Sequence, residues 1–205
     1  MDTGFLITAF VTLFVIMDPP GLAPLFAALT QGMTGQKRRS IALRACLVSV
    51  GVLIAFATFG ESLLGFVGIS MPAFRIAGGI LLFLTALDML FERRSKRRED
   101  RADEDDHDDP SVFPLAIPLI AGPGAIASVI LLTGEQPGLA GLMSVIGVML
   151  SVIVLVFISF QVAGLIERAL GKTGIVVVTR LFGMLLAALA VQFVVDGMRA
   201  LIVTL

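Results

Sequence analysis

Apolar residues fall into six blocks separated by short polar connectors, at about 5–30, 41–60, 71–91, 112–133, 139–166 and 175–205. An apolar run of about 20 residues is long enough to cross the hydrocarbon core as a helix. A helix also satisfies its backbone polar groups within one segment, which lipid demands. The expected fold class is an all-α membrane protein with six transmembrane helices.

Two of the blocks are interrupted. The first contains Met17-Asp18-Pro19-Pro20-Gly21-Leu22-Ala23-Pro24, and the fourth contains Ala121-Gly122-Pro123-Gly124-Ala125. Proline donates no backbone hydrogen bond, so a regular helix cannot pass undisturbed through Pro19, Pro20 and Pro24. Broken backbone at membrane depth is tolerated only inside protein or along a cavity. Asp18 adds a carboxylate that costs at least about 2.5–3.5 kcal/mol at the bilayer centre. Break and charge together point to a binding site.

New helices are expected to start at Leu22 and Ala125, each presenting unsatisfied N–H groups and a positive dipole end that attract a carboxylate or phosphate. The breaks should meet near the midplane around a polar cavity. Asp18 supplies the opposite charge, as partner for an ammonium group or as proton carrier. A zwitterion fits that pairing. The substrate-binding set is Asp18, Pro19, Pro20, Gly21, Pro24, Thr30, Gly122, Pro123, Gly124 and Ser128. A hydroxyl at Thr30 or Ser128 has the competing option of bonding back to its own helix.

The two breaks look like copies. Shifting the chain by 103 positions sets Pro20-Gly21 on Pro123-Gly124 and Leu29-Thr30 on Leu132-Thr133. After a two-residue insertion, Arg75-Ile76-Ala77-Gly78 meets Arg180-Leu181-Phe182-Gly183. Three matches in register indicate a duplicated half. With three spans per half, the second half enters the membrane from the other side, giving a 3+3 inverted repeat: residues 1–91, a charged linker at 92–110, and residues 111–205. Secondary transporters with this architecture hold substrate at the midplane.

Charge fixes the expected orientation. The connectors after the first, third and fifth spans, with Arg44 and Arg180, hold 13 of the 15 Lys and Arg residues. The positive-inside rule puts that side in the cytoplasm and both termini outside. The linker turns from basic to acidic, ending Asp103-Glu104-Asp105-Asp106-His107-Asp108-Asp109. Such a run reads as a solvated connector, with loose capture of divalent ions as the sharper alternative.

Composition agrees: 57% of residues are hydrophobic, 15% are charged, and mean hydropathy is +1.00. Tyr and Trp are absent, so the usual interfacial aromatic belt is missing. An intramembrane enzyme is disfavoured, because His107 is the sole histidine, Asp18 the sole central aspartate and Cys46 the sole cysteine.

Four charges fall within the third and sixth spans: Arg75, Asp88, Arg180 and Asp196. Run antiparallel, the two helices set Arg75 opposite Asp196 outside and Arg180 opposite Asp88 inside, as alternating gates. The alternative is that these side chains reach to the interfaces, with Asp196 on Arg199 and Asp88 on Arg93 or Gln192. Gly78, Gly79 and Gly183 are read as close-packing positions.

The chain resembles the MarC family of six-span membrane proteins, described as small neutral amino-acid transporters. The resemblance rests on Asp18-Pro19-Pro20-Gly21-Leu22-Ala23-Pro24-Leu25-Phe26 and Phe74-Arg75-Ile76-Ala77-Gly78-Gly79-Ile80. It continues through Pro114-Leu115-Ala116-Ile117-Pro118, Gly122-Pro123-Gly124-Ala125-Ile126, Val191-Gln192-Phe193 and Asp196-Gly197. It departs from the family's usual pattern at Pro20, Leu22 and Ala127. The resemblance implies an inner-membrane carrier grouped with exporters of the LysE type, built of inverted three-helix repeats. A carrier of a phosphate-bearing lipid or a metal ion is the second reading. Expected partners are a small-molecule substrate, the lipid bilayer and a coupling proton or Na⁺, with no nucleic acid, cofactor or resident metal. A homo-oligomer is compatible with this reading.

Overall fold

The computed structural model describes residues 3–91 and 110–203. The acidic tract with His107, and most of the charged linker, lie outside the described residues. Eight helical elements follow in order: α1 (Thr3–Met17), α2 (Pro19–Leu29), α3 (Gly35–Val67), α4 (Met71–Leu90), α5 (Ser111–Ile120), α6 (Pro123–Glu135), α7 (Leu139–Gln161) and α8 (Ala163–Val203). Among the described residues, five helical stretches are long and apolar enough to cross a membrane, with Thr3–Leu29 counting as one. The pair α5–α6, bent by 53°, makes a sixth if taken as one span. Large apolar side chains such as Phe59, Phe66 and Ile202 stand exposed on the outside of the bundle. In water such a surface is an aggregation liability; in a bilayer it faces lipid. This is a multi-pass membrane protein.

Several boundaries differ from those the hydropathy predicts. α3 is 33 residues long, roughly 50 Å at 1.5 Å per residue, against a core of about 30 Å. Its polar start is capped by Thr34, whose hydroxyl accepts the Lys37 N–H at 3.4 Å. α7 ends at Gln161 and α8 begins at Ala163, so Glu167 and Arg168 lie on a helix and not in a loop. That first stretch is rich in helix formers; it is interrupted at Gly171, with φ 62° and ψ 175°. The helices after the breaks begin at Pro19 and Pro123, earlier than Leu22 and Ala125. Proline is tolerated in a first turn, where its missing N–H has no intrahelical acceptor.

Close contacts of small residues fix the relative directions. Gly134 packs on Met71, Gly78 on Leu131 and Gly124 on Leu82, so α6 runs antiparallel to α4. Gly197 packs on Pro72 and Ile76, Gly79 on Ala190 and Val194, and Gly183 on Ala86 and Met89, so α8 is also antiparallel to α4. Phe14 meets Phe182 edge-on with ring centroids 5.5 Å apart, and Asp18 meets Thr179. α1 therefore runs opposite to α8 and parallel to α4.

At the centre lies α6, buried along most of its length and enclosed by α1, α3, α4 and α7. α5 leads into it as an irregular coil in which Phe113 and Ile117 are extended. Each precedes a proline, which disfavours the helical region for the residue before it. The carbonyl of Ala116 accepts the Ala121 N–H at 2.8 Å and faces the Ser49 hydroxyl of α3 at 3.5 Å. Those bonds satisfy backbone that the irregular coil leaves open.

Candidate functional site

Asp18 separates α1 from α2. Its N–H donates to the Phe14 carbonyl, and its own carbonyl accepts the Leu22 N–H, both at 3.0 Å. Between those two bonds the residue takes φ 52°, ψ 62°, the left-handed region that aspartate tolerates better than most side chains. No other non-glycine residue among those described has a positive φ. The turn folds the carboxylate over the start of α2, where Oδ1 accepts the Gly21 N–H at 3.2 Å. From α8, the Thr179 hydroxyl donates to the same carboxylate, at 3.4 Å from Oδ2 and 3.5 Å from Oδ1. Asp18 is fully buried. Pro19 and Pro20 form the first turn, and Pro24 sits inside α2.

The start of α6 is different. Its N-cap, Gly122, has no side chain to cap with. The first amide bonded back is that of Ile126, to the Gly122 carbonyl at 3.0 Å. Pro123 has no N–H, so the amides of Gly124 and Ala125 form the open end of the helix. Gly124 lies against Ile16 of α1, two residues before Asp18, and against Leu82 and Thr85 of α4. The start of α6 therefore lies beside the junction of α1 and α2. One start is closed by the protein's own carboxylate and the other is open.

Hydroxyls divide the same way. Thr30 donates to the Phe26 carbonyl at 2.7 Å, so this predicted ligand is spent on its own helix. Thr133 is likewise bound back, to Val129 and Ile130. Ser128 is fully buried and its Oγ has no hydrogen-bond partner among the described residues; Thr12 Oγ1 of α1 is in the same state. Buried polar groups are normally paired, and each exception calls for an explanation. Thr12 and Thr179 were not singled out from the sequence. Their only signal is a hydroxyl within an apolar run.

Residues 3–202 match the family described as "MarC family integral membrane protein". The chain belongs to the MarC family. A UPF0056 membrane protein of Methanocaldococcus jannaschii is 37% identical over 202 residues, covering 97% of this chain and 98% of its own. UPF0056 membrane protein YvbG of Bacillus subtilis is 35% identical over 205 residues, covering 98% and 97%. A UPF0056 membrane protein of Archaeoglobus fulgidus is 36% identical over 204 residues, covering 98% and 96%. No solved structure matches. Those relatives are named as membrane proteins, and their names give no substrate.

Of the charges expected to act as gates, Arg75 pairs differently from the expectation. Arg75 lies with Nη2 3.7 Å from Glu135 Oε1, at the end of α6, not on Asp196. The packing of Met71 on Gly134 brings α4 and α6 together here, and Arg75 is one turn along. Asp196 accepts both bonds from Gln192 Nε2, at 2.9 and 3.0 Å, and lies 4.0 Å from Arg199. Gly183, three residues after Arg180, packs beside Ala86, Met89 and Leu90, which sets Asp88 level with Gly183 and Arg180 about one turn further along, toward the end of α4. At the far end of α2, Phe26 and Phe160 stack 4.4 Å apart, with the Arg38 guanidinium 5.6 Å above the Phe26 ring. A cavity of about 210 Å³ opens there, lined by Phe26, Gly35, Arg38, Phe160 and Gln161.

The Arg75–Glu135 contact ties the C-terminal end of α6 to α4. Reversing either charge alone is expected to lower unfolding stability by about 1–2 kcal/mol, between the exposed and buried limits for ion pairs. The double swap, Arg75→Glu with Glu135→Arg, should recover most of it. Thermal unfolding of the four proteins in one detergent checks this.

Proposed function

We propose that this protein is a secondary transporter of small neutral amino acids or related small metabolites in the cell's inner membrane. The reading places both termini outside and residues 92–110 in the cytoplasm. One observation carries it: a buried carboxylate, Asp18, and an open helix start, at Gly124 and Ala125, lie on adjoining breaks in the bundle interior. Those are the complementary ends a zwitterion requires.

A 3+3 inverted repeat of residues 1–91 and 111–205 fits the same features. The discontinuities at Asp18 and Gly122 fall near positions related by the sequence shift, and α1 with α6, like α4 with α8, run antiparallel. In such carriers the halves rock about a midplane site. The pairs Arg75–Glu135 outside and Arg180–Asp88 inside, with the Phe26–Phe160 stack toward the cytoplasm, are candidate gates.

The test is uptake and counterflow of labelled Gly, Ala, Ser and Thr in proteoliposomes under an imposed pH or Na⁺ gradient. Asparagine tolerates the left-handed backbone of Asp18 and still accepts a hydrogen bond, so Asp18→Asn should fold. We expect it to lose gradient-driven accumulation and keep exchange. Full, pH-dependent uptake by the variant would reduce Asp18 to shaping the break. If the wild type moves none of the four amino acids, the amino-acid reading fails, and the same vesicles are then assayed for a phosphate-bearing lipid or divalent metal.

A further inference from the structure

We infer that the cavity between the ends of α2 and α7 and the start of α3 holds the phosphate group of an anionic phospholipid, with Arg38 and Gln161 as its donors. Such a site goes beyond the carrier reading: the lipid stays bound, whichever molecule is carried.

The cavity, about 210 Å³, is lined by Phe26, Gly35, Arg38, Phe160 and Gln161. That is room for several waters, and so for a phosphate with part of its headgroup. Phe26 and Phe160 are fully buried and stack at 4.4 Å with their rings 9° from parallel, so one wall is flat and firmly packed. Against it lies Arg38, its guanidinium 5.6 Å from the Phe26 ring centre. A cation over an aromatic face is attracted by the ring's quadrupole, which keeps Arg38 half-buried instead of extended into water.

That attraction leaves the guanidinium's five N–H donors to other partners. Among the described residues, the Arg38 side chain makes no hydrogen bond and no ion pair, and the Gln161 side chain makes no hydrogen bond. A planar fork of donors without an acceptor suits the bidentate grip of a phosphate or carboxylate. The surrounding chain offers no carboxylate of its own. No Asp or Glu occurs between Asp18 and Glu61 or between Glu135 and Glu167, which covers α2, α3 as far as Glu61, and all of α7.

The level of the cavity selects a lipid. Along α3 the exposed residues change from Gln36, Lys37 and Arg39 to Leu43 and Leu47. Along α7 they change from Val154 and Ile158 to Gln161. Both changes fall beside the cavity, where the surface that faces acyl chains gives way to the surface that faces headgroups. Basic pockets between helices at this level suit anionic headgroups. A zwitterionic headgroup would bring an ammonium that no lining carboxylate can meet. Phe26, Arg38 and Gln161 belong to three different helices, so an occupant bridges α2, α3 and α7 and raises stability by mass action.

The experiment uses the purified full chain, delipidated in detergent, at about 0.15 M salt to screen exposed charges. Its unfolding midpoint is read against added dioleoylphosphatidylglycerol, dioleoylphosphatidylcholine and inorganic phosphate, each shift taken from that protein's own lipid-free midpoint. Phosphatidylglycerol is expected to act at concentrations about tenfold lower than phosphatidylcholine. Arg38→Gln should weaken the apparent phosphatidylglycerol affinity about tenfold, through loss of a charge-assisted pair. Gln161→Leu changes no charge and breaks no bond within the protein, so it should fold, and it too should weaken the affinity by about tenfold. Arg39→Gln removes an exposed charge beside the cavity and should change the affinity much less.

Equal weakening by Arg38→Gln and Arg39→Gln, with Gln161→Leu unchanged, would mean a diffuse attraction and overturn the site. Equal stabilisation by the two lipids, or by neither, overturns it as well. If inorganic phosphate matches phosphatidylglycerol and competes with it, the cavity takes a soluble phosphate and the lipid assignment fails. Amino-acid counterflow plays no part in these outcomes and tests the carrier reading separately.

Discussion

Gly21→Ala is expected to destabilise the fold and, on the carrier reading proposed above, to abolish gradient-driven transport, although alanine is the better helix former at that position. A methyl built on Gly21 would overlap Asp18 Oδ2 and crowd the whole carboxylate. The carboxylate must then leave the start of α2, losing the Gly21 N–H and moving off the Thr179 hydroxyl. A lost cap costs about 1 kcal/mol. A buried carboxylate left short of donors costs about 1–3 kcal/mol more. Against this stands a gain of about 1 kcal/mol for alanine over glycine in a helix, so the net is destabilising.

The sign should invert when the carboxylate is gone. In an Asp18→Gly background, where glycine accepts the left-handed backbone without strain, Gly21→Ala has nothing to expel and should stabilise by about 1 kcal/mol. The coupling between the two positions, read as a double-mutant cycle of unfolding stability, isolates the contact. If Gly21→Ala is as stable and as active as the wild type, Asp18 does not close α2 and the asymmetry between the two breaks disappears.

What was legible in the sequence follows from what lipid enforces. The spans stood out because a bilayer demands long apolar runs, and the interruptions stood out because proline and glycine are chemically distinct. Helix ends were less legible: α3 and α8 continue through polar residues that lipid does not constrain but helix propensity permits. The asymmetry of the breaks was half visible, as Asp18 against Ala121. That Asp18 turns back onto its own helix depends on a left-handed φ that no composition announces.

Hydroxyls were the least legible. Thr12, Ser128 and Thr30 look alike in an apolar run, and only their neighbours separate the bonded Thr30 from the other two. Arg75 was matched to Asp196 by repeat symmetry. Its actual partner, Glu135, ends α6, and that pairing depends on which helix lies beside α4.

Gly79→Ala is expected to be among the most damaging single-methyl additions in the chain, with a cost of about 1–3 kcal/mol from overpacking. Its added carbon would lie 2.7 Å from Val194 Cγ2, 2.8 Å from the Ala190 carbonyl oxygen and 3.0 Å from the Val194 nitrogen. Two of those three atoms are backbone and have no rotamer to yield. Gly183 and Gly197 repeat the situation, 3.1 Å from the Ala86 oxygen and 3.0 Å from the Pro72 oxygen. The α4–α8 contact is thus a backbone-to-backbone approach that small residues permit, the usual means of helix association in lipid.

Gly51→Ala is the control, since nothing lies within 4 Å of its added carbon; it should be neutral or stabilising by up to about 1 kcal/mol. Unfolding midpoints of both variants in one detergent decide the matter, and equal midpoints would mean that α4 and α8 are not held this close. The damage should also reach the site. α8 carries Thr179, already at 3.4 Å from Asp18, so a shift of a few tenths of an ångström away from α4 and α1 breaks that bond. Counterflow should therefore fall further in Gly79→Ala than its loss of folded protein accounts for.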